Sequence, residues 1–275
     1  MRVVIAGVGK AGGALAIAAA RAGHGIVGLY GRTPRLDPDL PAPIVGYDTL
    51  TVDRPLPSAD LLVIGCRDHA IGGLATRLAP LAGEVRSAVH LSGFVPVAAL
   101  SDLDERGLLT GSFHPLQSLP GALTGADALA GSWVAVTAGP PLSQSLDDLA
   151  ASLGMTPFPL ADAAKSAYHA GAAAASNYVI ASLDLAASLF ESAGVAFEAL
   201  RPLTTAAVAN AFAAGPQKAL TGPIARGDWA TVEGHLTAAA ALGQNRLHQA
   251  RWLAAATAVT AGVQMPAVLE PGSEN

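Results

Sequence analysis

The sequence predicts an α/β domain built on a doubly wound parallel sheet, followed by an all-α domain. Three observations predict it. Short apolar runs alternate with helical segments up to about residue 160, and a glycine turn of the form G-x-G-x-x-G joins the first run to the first helix. Beyond Leu160 strand-like runs vanish, and Ala, Leu and Ser recur at helical spacing to near residue 264. The domain boundaries drawn from this change are 1–160 and 161–275.

The first strand is Val3-Val4-Ile5-Ala6, an apolar run suited to burial on both faces. Gly7-Val8-Gly9-Lys10-Ala11-Gly12 follows it and opens an Ala-rich helix ending at Gly23. Gly7 permits the tight turn, Gly9 lets the backbone approach a pyrophosphate, and Gly12 lets the helix lie close on the sheet. Phosphates would sit where unpaired backbone N–H groups and the helix dipole favour an anion. Gly7, Val8, Gly9, Lys10, Ala11 and Gly12 are therefore candidate dinucleotide-binding residues. The second strand, Ile26 to Tyr30, ends without the Asp or Glu that would meet a ribose 2′-hydroxyl; Gly31-Arg32-Thr33-Pro34-Arg35 stands there instead. Arg32, Thr33 and Arg35 supply two guanidinium groups and a hydroxyl suited to a 2′-phosphate, which selects NADP(H) over NAD(H). Their competing role is that of solvated loop charges.

A further strand spans Ala59 to Cys66, with Arg67-Asp68-His69 and a helix from Ile71 to Leu78 behind it; the next is Ala88 to Ser92. Short strands near Leu108–Phe113, Trp133–Thr137 and Phe158–Leu160 extend the sheet. In such sheets the ligand lies beyond the carboxyl ends of the strands, where strand order reverses. Gly7 to Gly12, Arg32 to Arg35, Cys66 to His69 and Ser92-Gly93 should then line one crevice, so Cys66 and Ser92 join the cofactor-binding candidates. The second domain should hold a long helix from about Asp162 to Ala193 and others near 197–213, 217–220, 228–241 and 244–261, with Asp228 as an N-cap. The tail from Met265 is expected to be an arm or frayed.

At 275 residues and 51% hydrophobic, the chain can bury a large core. A net charge of −5 without a Lys/Arg cluster excludes a nucleic-acid footprint and favours a small-molecule substrate. One cysteine excludes an intrachain disulfide framework and fits a reducing cytoplasm. Lys165, His169, Asn177 and Asp184 punctuate the most apolar helix, so no membrane span or membrane partner is expected. No metal-ligand spacing and no G-x-S-x-G is present, and no catalytic metal is expected.

The sharpest chemical candidates lie in Lys165-Ser166-Ala167-Tyr168-His169 and on to Tyr178. At about 100° per residue, His169 and Ser176 fall about 40° and 20° from Lys165, on one face. A polar stripe in an Ala-rich helix calls for a pocket, because buried cations and imidazoles are costly without partners. Lys165 is the first choice of general acid for a hydride transfer and His169 the second; the competing roles are an exposed helix start and a hydrogen-bonded core histidine. A second constellation, Gly111-Ser112-Phe113-His114-Pro115-Leu116-Gln117-Ser118, places His114 at a loop start, where its imidazole, Gln117 and Ser118 could face the substrate, against a plain turn fixed by Pro115. His90 reads as a core residue, His69 as a solvent-facing one, and Arg226 as a helix-pairing charge or a carboxylate ligand.

With GVGKAGG, ADLLVIGCRD, HLSG, GSFHPLQS, KSAYHAGAAAASNY and TGPIARGD in this order, the chain resembles a bacterial family of Rossmann-like proteins with a C-terminal helical domain of largely unknown function. More distantly it is similar to ketopantoate reductases, pyrroline-5-carboxylate reductases and β-hydroxyacid dehydrogenases. The resemblance implies a Rossmann domain, a helical domain like the C-terminal domain of 6-phosphogluconate dehydrogenase, Ser92 near the nicotinamide, and a homodimer through the helical domains. In the β-hydroxyacid dehydrogenases and ketopantoate reductases a Lys-x-x-x-Asn pair opens the long helix with lysine as acid/base; Lys165 matches the lysine, whereas His169 replaces the asparagine. Some members of the closer family are regarded as an alternative ketopantoate reductase, which implies a 2-keto acid.

The expected activity is thus an NADP(H)-dependent reduction of a small 2-keto acid, with Lys165 as acid and His169 and His114 orienting the substrate. Its rivals are an imine reductase of the pyrroline-5-carboxylate type and a non-catalytic dinucleotide-sensing protein, since fold alone proves no chemistry.

Overall fold

The structure, a computed structural model, describes residues 1–272. The chain divides into two compact units, residues 1–173 and residues 174 onward. The division falls beyond the 160/161 boundary, so the helix carrying Lys165 and His169 lies in the first unit.

The first unit holds an eight-stranded sheet in the order β3-β2-β1-β4-β5-β6-β7-β8. Its strands are β1 (Arg2–Ala6), β2 (Gly25–Gly31), β3 (Ile44–Gly46), β4 (Ala59–Ile64), β5 (Val85–His90), β6 (Leu109–Leu116), β7 (Trp133–Ala138) and β8 (Thr156–Pro159). The helices are α1 (Lys10–Arg21), α2 (Ile71–Leu78), α3 (Ser101–Asp104), α4 (Ala122–Leu129), α5 (Leu142–Ser152) and α6 (Lys165–Ala173). The central strands read as continuous apolar runs because both faces are covered: Val4, Ile5 and Leu62 have no exposed surface. Burying such a side chain contributes about 1.5–3 kcal/mol.

Strand order reverses between β1 and β4, which pair in parallel from Val3↔Leu61 to Ala6↔Ile64. The sheet departs from the expected parallel arrangement at one place, since β6 and β7 run antiparallel from Gly111↔Ala138 to Leu116↔Trp133. β6 is also longer than predicted and includes His114 and Pro115. A proline is tolerated there because β5 ends opposite Ser112, leaving the β5 side of Pro115 without a ladder partner.

The second unit opens with a π-helical turn, Ala174–Tyr178, which breaks the 3.6-residue spacing used to project Ser176 onto the Lys165 face. It continues with α7 (Val179–Ser192), α8 (Leu200–Ala214), α9 (Pro216–Ala219), α10 (Trp229–Ala241) and α11 (Gln244–Ala261). Asp228 caps α10, accepting from Thr231 N at 3.2 Å and Thr231 Oγ1 at 2.7 Å. Arg246 of α11 pairs with Asp184 of α7. The segment after Met265 is not the arm the sequence suggested. Met265 and Leu269 are each 6% exposed and complete the core of Val232, Leu236, Ala254 and Ala258, because two apolar anchors spaced along the tail suffice to dock it. Residues 273–275 lie outside the described residues.

The helical segment Asp162–Ser192, 31 residues with a mean hydropathy of 1.3 in its most apolar window, is long and apolar enough to cross a membrane by length and composition. The four polar residues cited against this do not outweigh the alanines and leucines between them.

Candidate active site

The glycine turn is built as its sequence requires. Gly7 has φ +100°, a conformation that disfavours side chains, and a Cβ on it would lie 2.6 Å from Cys66 N. A Cβ on Gly12 would lie 2.3 Å from Gly7 O, so the first turn of α1 is pressed against the turn itself. Gly65, which the sequence did not single out, is equally constrained, at 2.7 Å from Gly7 O. Gly9 differs: a Cβ there would meet nothing nearer than Gly65 O at 4.0 Å, so the α1 N-terminus is open on that side to an approaching phosphate.

In front of this turn lies a cavity of about 630 Å³ lined by the loops after β1, β2 and β4, by β3 and the residue after it, and by α2. Gly7, Val8, Gly9, Arg32, Thr33, Arg35 and Cys66 all line it, as the sequence predicted. Lys10, Ala11, Gly12 and Ser92 are not among its lining residues. Gly12 is buried by its packing on Gly7, and Lys10 is the exposed first residue of α1. Arg67 and His69 line it with Cys66, in the loop expected at the crevice, whereas Tyr47 and Arg77 line it unforeseen. Burial pushes the Cys66 thiol above its usual range, which keeps it protonated at neutral pH. The lining contains four arginines and no carboxylate, a donor set that fits a ligand bearing several phosphates.

Ser92 lies at the turn after β5. Its hydroxyl oxygen accepts from Phe94 N at 3.1 Å and Val95 N at 3.0 Å, shaping the turn after β5. Lys165, expected to face a substrate, is 1% exposed. Its ammonium donates to Val95 O at 2.8 Å and pairs with Asp162 at 2.9 Å, and the Asp162 carboxylate accepts from Val97 N at 3.1 Å and 3.2 Å. Lys165 and Asp162 thus staple the segment Ser92–Val97 to the start of α6. A buried cation takes such partners because leaving them unmade would cost far more than an exposed loop charge does.

That stapled segment bears on two rings, those of His114 and His169. A Cβ on Gly93 would lie 2.8 Å from His114 Nδ1, so only glycine lets the chain run across that imidazole. Phe94 packs on His169 at 5.9 Å between ring centroids, and His169 lies 6.3 Å from His114. His114 Nδ1 is 2.7 Å from Tyr168 Oη, with the two rings edge to face at 5.5 Å, and Phe158 braces Tyr168 at 6.0 Å. The structure thereby brings His114 and His169 together, adds Tyr168, and leaves Gln117 elsewhere. Gln117 Nε2 donates to Ala128 O at 3.1 Å and its Oε1 accepts from Ser118 N at 2.8 Å. Tyr168 carried one sequence signal, its place one residue before His169, but that put it about 60° from Lys165 and about 100° from His169, beside the projected face.

The electrostatics are those of a half-buried neutral pair. Burial, then the charge of His169, pull the His114 imidazole down to about 4, opposed by Asp68. Asp68 follows Cys66 and Arg67 of the cavity lining, and its charge acts on His114. Burial pushes the Tyr168 phenol up to about 12. His90, fully buried, accepts from Ser92 N at 3.2 Å through Nδ1 and is also held to about 4, first by burial and next by the charge of Lys165.

Two imidazoles held neutral by the fold set a pH dependence. Their folded pKa values lie below the ordinary 6.5, so the unfolded chain binds more protons between pH 6.5 and 4. Their contribution is complete above pH 6.5 and is lost as pH falls towards 4. Urea midpoints measured across that window should drop steadily, and His90→Gln should flatten the slope, one of the two most strongly lowered imidazoles being removed. An unchanged slope in the variant would contradict the buried neutral state of His90.

Residues 1–115 match the model of the Rossmann-like domain, and residues 132–259 match that of a domain of unknown function, DUF2520. The chain is a Rossmann-like domain followed by a DUF2520 domain. No curated protein matches it. Among solved structures, this Rossmann-like DUF2520 chain is similar to a Bacteroides fragilis protein provisionally described as an NADP oxidoreductase, at 20% identity and TM-score 0.75, over 94% of this chain and 98% of that one. It is similar to Plasmodium falciparum pyrroline carboxylate reductase with NADP bound, at 12% identity and TM-score 0.60, over 95% and 98%. It is also similar to a Streptomyces aurantiacus imine reductase, at 17% identity and TM-score 0.59, over 94% and 93%. At these identities the likeness establishes the fold, an N-terminal parallel-sheet domain with a C-terminal helical one.

Proposed function

We propose that this protein is an NADP(H)-dependent oxidoreductase that reduces the keto group of a small 2-keto acid. The observation that carries the chemistry is the 2.7 Å hydrogen bond between His114 Nδ1 and Tyr168 Oη, in a neutral pair whose imidazole feels the charge of Asp68, next to the cavity-lining turn. The cofactor would be held by Gly7, Val8 and Gly9 at its pyrophosphate and by Arg32, Thr33 and Arg35 at its 2′-phosphate. When bound it supplies a hydride.

The chain's own residues supply the proton. In the productive tautomer His114 Nδ1–H donates to Tyr168 Oη, which frees the phenolic proton for the substrate. Tyr168 Oη gives that proton to the substrate oxygen as negative charge develops there, and Nδ1–H stabilises the phenolate left behind. Lys165 serves as a positioning residue: it holds Gly93 and Phe94 against His114 and His169. His169, beside both His114 and Phe94, orients the substrate.

A phenol raised to about 12 is acid enough for a developing alkoxide but a poor donor to an imine nitrogen that must be protonated beforehand. This favours a carbonyl over an imine; the 2-keto acid class rests on the family resemblance. An imine substrate is the second reading, favoured by the full-length likeness to pyrroline carboxylate reductase and an imine reductase. A panel of 2-keto acids and cyclic imines, each assayed with NADPH and NADH, separates the two. Turnover of imines alone would replace the first reading by the second, and turnover of neither class would leave a dinucleotide-binding protein without chemistry.

The protein is further proposed to be a soluble cytoplasmic homodimer joined through its helical unit, with no nucleic-acid or membrane partner. In that unit Phe212 is 90% exposed and Val259 80%, which is costly for apolar side chains in water and is relieved by a second copy. Light scattering should give twice the chain mass, and a monomer at micromolar concentration would count against it.

A further inference from the structure

The cavity carries more positive charge than a pyrophosphate seated on the glycine turn requires. Of its four arginines only Arg35 is paired with an acid, Asp37 at 3.8 Å; Arg32, Arg67 and Arg77 make no ion pair among the described residues. Arg77 is distinguished by its support. It stands in the last turn of α2, and its guanidinium carbon lies 5.6 Å from the centroid of the Tyr47 ring. Tyr47 is 7% exposed and directly follows β3, the outermost strand on the side of the sheet where β2 and its arginine loop lie. Arg32 lines the same cavity as Arg77 and Tyr47, and the charges of both arginines act on the Tyr47 hydroxyl, so two guanidinium groups from different elements lie at this end. Cys66 lines the same cavity, so this end is continuous with the β4 turn.

Unneutralised guanidinium groups repel one another, and bringing two of them to one end of a cleft is favourable only with an anion between or beside them. The pyrophosphate does not meet that need, because it belongs to the backbone N–H groups at Gly7 to Lys10, behind β1. The remaining phosphate of the proposed cofactor is the ribose 2′-phosphate, which lies beyond the end of β2 in this fold. A guanidinium stacked on a rigid ring has already lost much of its side-chain freedom, so its binding geometry costs little further entropy.

We propose that Arg77, braced on Tyr47, is the second arm of the 2′-phosphate site, reaching it from α2 while Arg32, Thr33 and Arg35 reach it from the β2 loop. The proposal rests on the dinucleotide reading of the cavity and adds a specificity residue that local sequence around β2 does not contain.

The test is binding, independent of turnover. Calorimetric titration of the wild type, Arg77→Ala and Tyr47→Leu uses four probes: NADPH, NADH, 2′,5′-ADP and 5′-AMP. Arg77→Ala should weaken NADPH and 2′,5′-ADP by about tenfold or more, the scale of a lost charged hydrogen bond, and leave NADH and 5′-AMP within about twofold. Tyr47→Leu should lose part of the same discrimination, whereas Tyr47→Phe, which keeps the ring, should retain it. An equal loss for all four probes would assign Arg77 to the adenine, and no loss for any would return it to solvent; either overturns the proposal. A wild type that binds none of the four, or prefers NADH, sinks the cofactor reading itself, a result distinct from an unselective Arg77→Ala.

Discussion

Tyr168→Phe is expected to lower turnover of the active 2-keto acid by about 10²- to 10⁴-fold while leaving the Kd for NADPH unchanged. The substitution removes one oxygen and keeps the ring that packs on Phe158 and His114, so folding should be little affected. Because His114 acts through Tyr168, the two losses should not add. His114→Ala should cost about as much as Tyr168→Phe, and the double variant little more than either. Full turnover in Tyr168→Phe would show that the proton comes from elsewhere. His169 and Lys165 would then be the remaining donors on α6.

Lys165→Met is expected to reduce stability more than it reduces chemistry. Methionine matches the stem of lysine but leaves Val95 O and Asp162 without their cation, and removing one member of a buried pair commonly costs about 3–5 kcal/mol. The Asp162 side chain is 40% exposed, so water can replace part of what it loses, and about 2 kcal/mol is the appropriate scale. For a chain of this size that is a fall in Tm of about 4–8 °C. Turnover should fall too, through looser placement of Gly93 and Phe94, and saturating substrate should recover part of it. An unchanged Tm with a hundredfold loss in kcat would instead make Lys165 the proton donor, as the Lys-x-x-x-Asn resemblance implied.

These two residues show why the site was only half legible in the sequence. Lys165 and His169 stood out because charge is conspicuous on an alanine-rich helix, yet conspicuousness says nothing about which way a side chain is satisfied. One partner of Lys165, Asp162, stands three residues before it, but the other is a backbone carbonyl 70 residues earlier, and a carbonyl carries no sequence signal. Tyr168 and His114 are 54 residues apart, on α6 and β6, and His114 was assigned to a loop because Pro115 follows it. What admits a proline there is the early end of β5, a property of the sheet and not of the segment.

The glycine turn, most of the order of strands and helices and the gathering of the loops after β1, β2 and β4 were legible from the chain, because they rest on short-range causes; the short β3 and the antiparallel β6–β7 pair were not. Those causes are the period of apolar residues, the freedom of glycine at positive φ and the handedness of strand–helix–strand connections. They also place Arg32, Thr33, Arg35 and Cys66 at the cavity. Which polar groups meet across it is a different kind of fact. The Arg77–Tyr47 stack, the Lys165 staple and the His114–Tyr168 pair each join elements far apart in sequence, and their partners are chosen by packing and by the cost of leaving a buried polar group alone. Only the folded chain brings those partners within reach, and so only it shows a lysine bound to a loop carbonyl and a tyrosine paired with an imidazole.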